Sequence, residues 1–246
     1  VRAYATNSLG TSYGNEVSFA TLLPSPQPCP GTPTVTDIDG NVYNTVQIGN
    51  QCWLQSNLKT SKYRNGDSIP TGLSNSDWWS TQLSHIGAYQ MNTSQVYFDS
   101  VYGKLYNHYA VSDNRGLCPT GWHVPSHSEI SEAVFTIEPG IDTNLVGWSG
   151  VNVGGKLKST TQSPALGGWH LPNLGANNLT GFSAIPGGFA DMNGGFYYEG
   201  SYASWWTSSE IIVYNAWFFG LSSSSSSVDR NNLNRAHGLT VRCLKN

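Results

Sequence analysis

Cys118-Pro-Thr-Gly-Trp-His-Val-Pro-Ser126-His-Ser-Glu129 is the stretch from which the fold is read. Ser126 stands three residues before Glu129, the spacing of a capping box, in which each side chain answers a backbone N–H at the start of a helix. Ile130, Ala133, Val134 and Ile137 follow at helical spacing, and Pro139-Gly140 stops the run. The pattern predicts a short helix over about 127–137. Upstream, Val35 to Leu54 reads as paired strands. Asp37-Ile-Asp-Gly-Asn41 is a turn, Val42, Val46 and Ile48 follow at period two, and Gly49-Asn50 turns into Cys52-Trp53-Leu54. The Asp-x-Asp-Gly phrase is shaped like a calcium loop but lacks the later acidic ligands of an EF-hand, so it reads as a plain turn. Residues 140–200 are glycine-rich and predict loops and short strands. β signals return from 201 and end in Leu239-Thr-Val-Arg-Cys-Leu244.

At the other end, Val1, Ala3 and Ala5, then Val17 and Phe19, alternate around the turn-rich Asn7–Gly14. This predicts a hairpin over 1–23 that resembles the last two strands of a fibronectin-III or immunoglobulin-like domain. Two strands do not fold alone, so the hairpin must pack on something. It offers a route to a homo-oligomer or a larger assembly by completing a sheet of another chain. Leu23-Pro-Ser-Pro-Gln-Pro-Cys-Pro30 is a Pro-rich connector, placing a linker at 24–30 and a domain over 31–246. The chain opens without Met in a strand-like pattern and reads as a mature or processed piece of a longer product.

The chain is rich in Gly (27), Tyr (13) and Trp (9), and only 11% of residues are charged. Such a chain buries an aromatic core and carries long Gly/Asn/Ser loops. A net charge of −3 with no basic stripe argues against nucleic acid, which needs clustered Lys and Arg. No apolar run reaches the length of a membrane span. The four cysteines, Cys29, Cys52, Cys118 and Cys243, form no C-x-x-C pair. They fit disulfides in an oxidising compartment, the other reading being four buried thiols.

Several phrases line up with one family: Thr36-Asp-Ile-Asp-Gly-Asn-Val-Tyr43, Val46-Gln-Ile-Gly-Asn-Gln-Cys-Trp53, Asn57-Leu-Lys-Thr60, Tyr102-Gly-Lys-Leu-Tyr-Asn107, the Cys118–Ser126 phrase, Gly181-Phe-Ser-Ala184, Trp206-Thr-Ser-Ser-Glu210 and Val241-Arg-Cys243. Together, over 29–246, they resemble the Fibrobacter succinogenes major paralogous domain, placed in the C-type-lectin-fold group. The resemblance implies an α+β, C-type-lectin-like fold: a twisted antiparallel sheet, one or two short helices, long irregular loops, and chain ends in adjacent strands. On that fold a Cys118–Cys243 bridge would close the domain, and Cys29–Cys52 would tie its entrance to the first hairpin. It also implies an extracellular or cell-surface adhesin or receptor-binding protein of bacterial or phage origin.

Some relatives of that family are diversified by retroelements that randomise adenines in Asn codons. Such randomisation cannot yield Trp, Met, Lys, Glu or Gln, and none of these occurs from 218 to 242. A ligand-binding face is therefore expected from Tyr214, Asn215, Phe218, Asp229, Asn231, Leu233, Asn234 and His237, exposed on one surface. Trp205, Trp206, Trp217, Val228 and Val241 would back it, and Glu210 and Arg242 would make fixed polar contacts. The bland reading is two strands joined by a low-complexity Ser/Asn loop. The partner would be a protein or glycan on another cell or surface. A carbohydrate-binding module and a structural cell-surface or filament subunit are the alternatives. No catalytic residues, metal site or cofactor are expected, because the histidines and carboxylates lack ligand spacing and acid/base pairing. The Glu-Pro-Asn and Trp-Asn-Asp phrases of calcium-dependent lectins are missing from the sequence.

Overall fold

A computed structural model describes residues 2–15, 25–92 and 97–246. Two antiparallel sheets dominate. One has the order β3 (Thr34–Thr36), β4 (Val42–Ile48), β5 (Gln51–Leu54), β15 (Leu244–Lys245), β8 (Trp122–His123). The other has the order β12 (Tyr202–Ile212), β13 (Asn215–Ser222), β14 (Val228–Asn234), β9 (Gly147–Ser149). Three small ladders join β1 (Tyr4–Asn7) to β2 (Gly10–Tyr13), β6 (Tyr89–Gln90) to β7 (Leu105–Tyr106), and β10 (Phe189–Ala190) to β11 (Phe196–Tyr197). The helices are α1 (Asn75–Ser84), α2 (Phe98–Tyr102), α3 (His108–Val111), α4 (His127–Ile137) and α5 (Val153–Leu157). The described residues are mostly β with short helices, compatible with the α+β class.

The capping box forms as the sequence predicts. Glu129 N donates to Ser126 Oγ at 3.3 Å, and Ser126 N donates to Glu129 Oε2 at 2.7 Å. Ala133 and Val134 then bury against Val46, Trp205, Phe219 and Val228, fixing α4 beneath the β12–β14 sheet. A small cavity of about 40 Å³ remains there, lined almost wholly by apolar side chains. Burying apolar area against the sheet, rather than propensity, holds so short a helix.

Five described helices replace the expected one or two. Ser74 caps α1 by accepting from Asp77 N, a signal that lacks the apolar stripe to accompany it: Trp79 and Leu83 are exposed. In α5, Gly154 and Gly155 work against helix propensity. Packing requires them, since a Cβ at Gly154 would sit 2.2 Å from Ser227 O and one at Gly155 would sit 2.2 Å from Gly175 O.

The N-terminal hairpin is also shifted. Its strands pair Tyr4 with Tyr13 and Asn7 with Gly10, so the second strand lies inside the segment whose composition reads as turn. Asn7 Oδ1 accepts Leu9 N and closes a two-residue loop. The strand expected around Val17 and Phe19 lies outside the described residues. From Gln27 the Pro-rich segment runs along β4: Gln47 N donates to Gln27 O, and Cys29 N to Thr45 Oγ1.

Cys29 bridges Cys52 and Cys118 bridges Cys243, with S–S distances of 2.03 and 2.00 Å. Among the described residues no helix is long and apolar enough to cross a membrane. The two disulfides are consistent with an extracellular location.

Candidate ligand-binding cleft

β13 is central in its sheet, and burial of both its faces decides where the expected ligand residues fall. Ala216 and Phe218 pack with Trp206 and Leu239, while Phe219 and Leu221 pack with Trp205 and Val228 on the other side. Phe218 is 5% exposed and belongs to the core, not to an open surface. Asp229 is buried as well, because the Tyr202 hydroxyl donates to its Oδ2 at 2.8 Å. Tyr214 is exposed at the β12–β13 tip, and Asn215, Asn231, Leu233, Asn234 and His237 are half-buried.

The cross-strand register divides them further. Phe218 lies opposite Asn231, Ala216 opposite Leu233 and Gly220 opposite Asp229 on one face; Asn215 opposes Asn234 on the other. The eight residues therefore do not form one contiguous exposed surface.

The backing residues Trp205, Trp206, Val228 and Val241 are buried as expected, but Trp217 is only half-buried. It is covered by the Arg230 guanidinium 4.1 Å from its ring. Glu210 is exposed and pairs with Arg235 at 2.8 Å. Arg242 is 1% exposed. Its Nε donates to Asn57 Oδ1 at 3.0 Å, and its guanidinium also reaches Phe182 O and stacks 4.0 Å from the Phe182 ring. Burial pulls its pKa down to about 9. It is a core strut: the segment after Leu239 runs parallel beside β12, Thr240 bridging to Trp205, and the buried Arg242 follows two residues on.

What the same sheet face does carry is a cleft of about 510 Å³. Its walls are Trp148, Phe189, Tyr198 and Tyr202, with Ser201, Ser204, Phe218, Ser222, Ser223, Ser224, Leu233 and Leu239 between them. The register explains the convergence. Ser204, Gly220, Asp229 and Trp148 form one row across β12, β13, β14 and β9. Gly220 leaves the space that the Tyr202 hydroxyl fills, since a Cβ there would sit 2.1 Å from that oxygen.

Burial raises the pKa of Asp229, and the hydrogen bond from Tyr202 opposes that rise. Tyr202 is itself raised, first by burial and then by the Asp229 charge. His237 borders Phe189 with ring centroids 6.4 Å apart, and burial lowers its pKa.

The serine tract that rims the cleft is a built structure rather than a loose tether. The fully buried Lys158 sends its ammonium to Leu174 O at 2.9 Å, Ser222 O at 2.8 Å and Ser225 O at 2.7 Å. Ser226 Oγ and Ser227 Oγ donate to Val151 O and Gly150 O. Burial lowers the Lys158 pKa to about 8, so at neutral pH the amine keeps all three donors.

Of the expected residues only Phe218 and Leu233 line this cleft. Trp148, Phe189, Tyr198 and Ser204 come from separate segments with no shared motif. The alternation of Tyr202, Ser204 and Trp206 along β12 was the available signal.

The model of the Fibrobacter succinogenes major domain (Fib_succ_major) matches residues 46–245. The chain belongs to the Fibrobacter succinogenes major domain family. Its match takes in both large sheets, except for β3 and the first residues of β4, and the whole cleft. No curated protein and no solved structure matches this Fibrobacter succinogenes major domain chain.

Proposed function

We propose that this chain is an extracellular, non-enzymatic binding domain with a C-type-lectin-like arrangement, and that it seats its ligand in the cleft above β12–β14. The observation that carries the reading is the cleft itself. It is about 510 Å³ in volume, is walled by Trp148, Phe189, Tyr198 and Tyr202, and is backed by a sheet buried on both faces. Large apolar walls with a few placed polar groups are the usual make-up of a ligand site, and a rigid support behind it limits the ordering cost of binding. Trp148 and Tyr198 are 44% and 64% exposed, area that is free to be covered.

If the tract 218–242 is diversified, Phe219, Leu221, Val228 and Arg230 must be spared, because they pack into the core. The half-buried Asn231, Asn232, Leu233 and Asn234 could vary.

The test is adhesion of the labelled chain to a panel of bacterial and host cell surfaces. The Trp148→Ala/Tyr198→Ala double variant should lose any binding seen. Phe135→Ala, on an exposed face of α4, should keep it. Equal binding by wild type and the double variant would refute the cleft.

A structural role has one observation in its favour. Every residue of β1 and β2 is exposed, including Tyr4 and Tyr13. Such an edge suits strand addition, and light scattering would reveal the resulting oligomer.

A further inference from the structure

We propose that two copies of this chain pair about a two-fold axis through the β12–β13 tip and the C-terminal end of α1. The inference does not rest on the cleft. It starts from side chains that the fold leaves uncovered. Register shifts between Trp206 and Ile212 bend β12, and no residue from Ser208 to Tyr214 is buried. Ile211, Ile212, Val213 and Tyr214 stand there in a row, while Leu83 and Ile86 lie at the end of α1; all six are between 42% and 69% exposed. Single exposed apolar residues are ordinary, but a contiguous group marks an interaction site.

Contacts join the two groups into one surface, and Arg235 is the link. Its backbone N–H donates to Tyr214 O at 2.8 Å, and its guanidinium pairs with Glu210 at 2.8 Å and covers the Tyr109 ring at 4.6 Å. Tyr109 in turn stacks on His85, ring centroids 5.1 Å apart, and His85 lies between Leu83 and Ile86 in the chain. Asn107 Nδ2 donates to Ile86 O at 2.9 Å. The patch is thus held in place before any partner arrives, which limits the ordering cost of association.

Area and charge select a second copy as the occupant. The six residues leave roughly 600 Å² uncovered, the upper end for one patch on a monomer. Two such patches set face to face bury about 1,200 Å², which reaches the standard size of a stable interface. A two-fold contact sets a patch against itself, so a patch of one sign would repel its copy. Residues 78–90 and 211–217 include no Asp, Glu, Lys or Arg, and Glu210 and Arg235 neutralise each other. The same lack of cations disfavours a lipid surface, which calls for Lys and Arg around the apolar residues. Tyr202 and Ser222 pair at the opposite end of β12–β13 from the tip, so the dimer leaves both clefts open. Two linked sites hold a surface more tightly than one.

The experiment is sedimentation velocity on the full chain from micromolar to submillimolar concentration. Wild type should pass from monomer to dimer. Ile212→Asp and Leu83→Asp should each raise the dimer dissociation constant about a hundredfold or more, since each change enters a two-fold interface twice. Their thermal midpoints at the lowest concentration should match wild type, because both side chains are exposed in the monomer. The Tyr4→Ser/Tyr13→Ser variant of the N-terminal hairpin should dimerise as wild type does, and so should Trp148→Ala/Tyr198→Ala in the cleft.

A wild type that stays monomeric throughout overturns the inference, as does a dimer that persists in Ile212→Asp or in Leu83→Asp. A dimer lost on changing the hairpin or the cleft, or a ladder of species larger than two, also overturns it. Flotation of wild type with phosphatidylcholine vesicles, lost in Ile212→Asp, would assign the patch to a lipid surface instead. None of these outcomes bears on the cleft, whose own test is adhesion by the Trp148→Ala/Tyr198→Ala variant.

Discussion

Replacing Lys158 by Met tests whether the serine rim is held from below. The substitution keeps the length of the side chain and removes the ammonium, which donates to the carbonyls of Leu174, Ser222 and Ser225 at 2.7–2.9 Å. Hydrogen bonds from a charged donor contribute about 1.5–3 kcal/mol each, so three sum to about 4.5–9 kcal/mol. Against this stands the desolvation of a fully buried amine, several kcal/mol that Met no longer incurs. The difference leaves a net destabilisation of about 3 kcal/mol, in line with the loss seen when one member of a buried charged network is removed. In a domain of this size that lowers the midpoint by roughly 6–12 °C. Urea unfolding gives the stability, and hydrogen exchange gives its location: amides at 222–227 should exchange faster than those of β4 and β5. A loss under about 1 kcal/mol, or exchange that rises equally everywhere, would refute the idea that Lys158 organises the rim.

Two more outcomes are expected. His108 is fully buried, with one ring nitrogen on Thr207 O, and burial lowers its pKa to about 3 against an unfolded value of 6.5. Between those values the unfolded chain holds more protons, so stability is full above pH 6.5 and is lost as pH falls through that window. His108→Gln should flatten the slope between pH 6.5 and 4 in urea titrations, and an unchanged slope would exclude His108 as its source. Removing the disulfides should act through loop size. The chain-entropy relation gives about 5 kcal/mol for Cys118→Ala/Cys243→Ala and about 3.5 kcal/mol for Cys29→Ala/Cys52→Ala. These follow from separations of 125 and 23 residues; equal losses in denaturant midpoints would contradict the ranking.

The parts of this fold that the sequence announces are those governed by local chemistry. The Ser126/Glu129 box and the apolar spacing after it predict α4 residue for residue. The turns at Asp37–Asn41 and Gly49–Asn50 place β4 and β5, with Asp37 Oδ1 accepting from Asp39 N and Asn41 N. What stayed hidden depends on contacts between distant segments. Nothing local to Phe218 or Asp229 says that both faces of β13 are covered, because the cover comes from Leu239, α4 and Tyr202. The cleft is illegible for the same reason: its row of residues is spread from Trp148 to Asp229. Arg242 reads as a surface cation by type. Only the carbonyls of Phe182 and Ser183 and the Asn57 amide oxygen make it a core residue.

β15 lies between β5 and β8, with Leu244 paired to both Trp53 and His123, and Cys243 beside it bonded to Cys118. That placement sets an order of events. A sheet whose middle strand is contributed by residues 244–245 cannot close until that segment meets β5 and β8. Until then the edges of β5 and β8 that it covers stand open. Pairing across so large a separation in sequence makes for slow folding, so closure of this sheet is a late step, and the Cys118–Cys243 bond can lock it only once the last strand is seated.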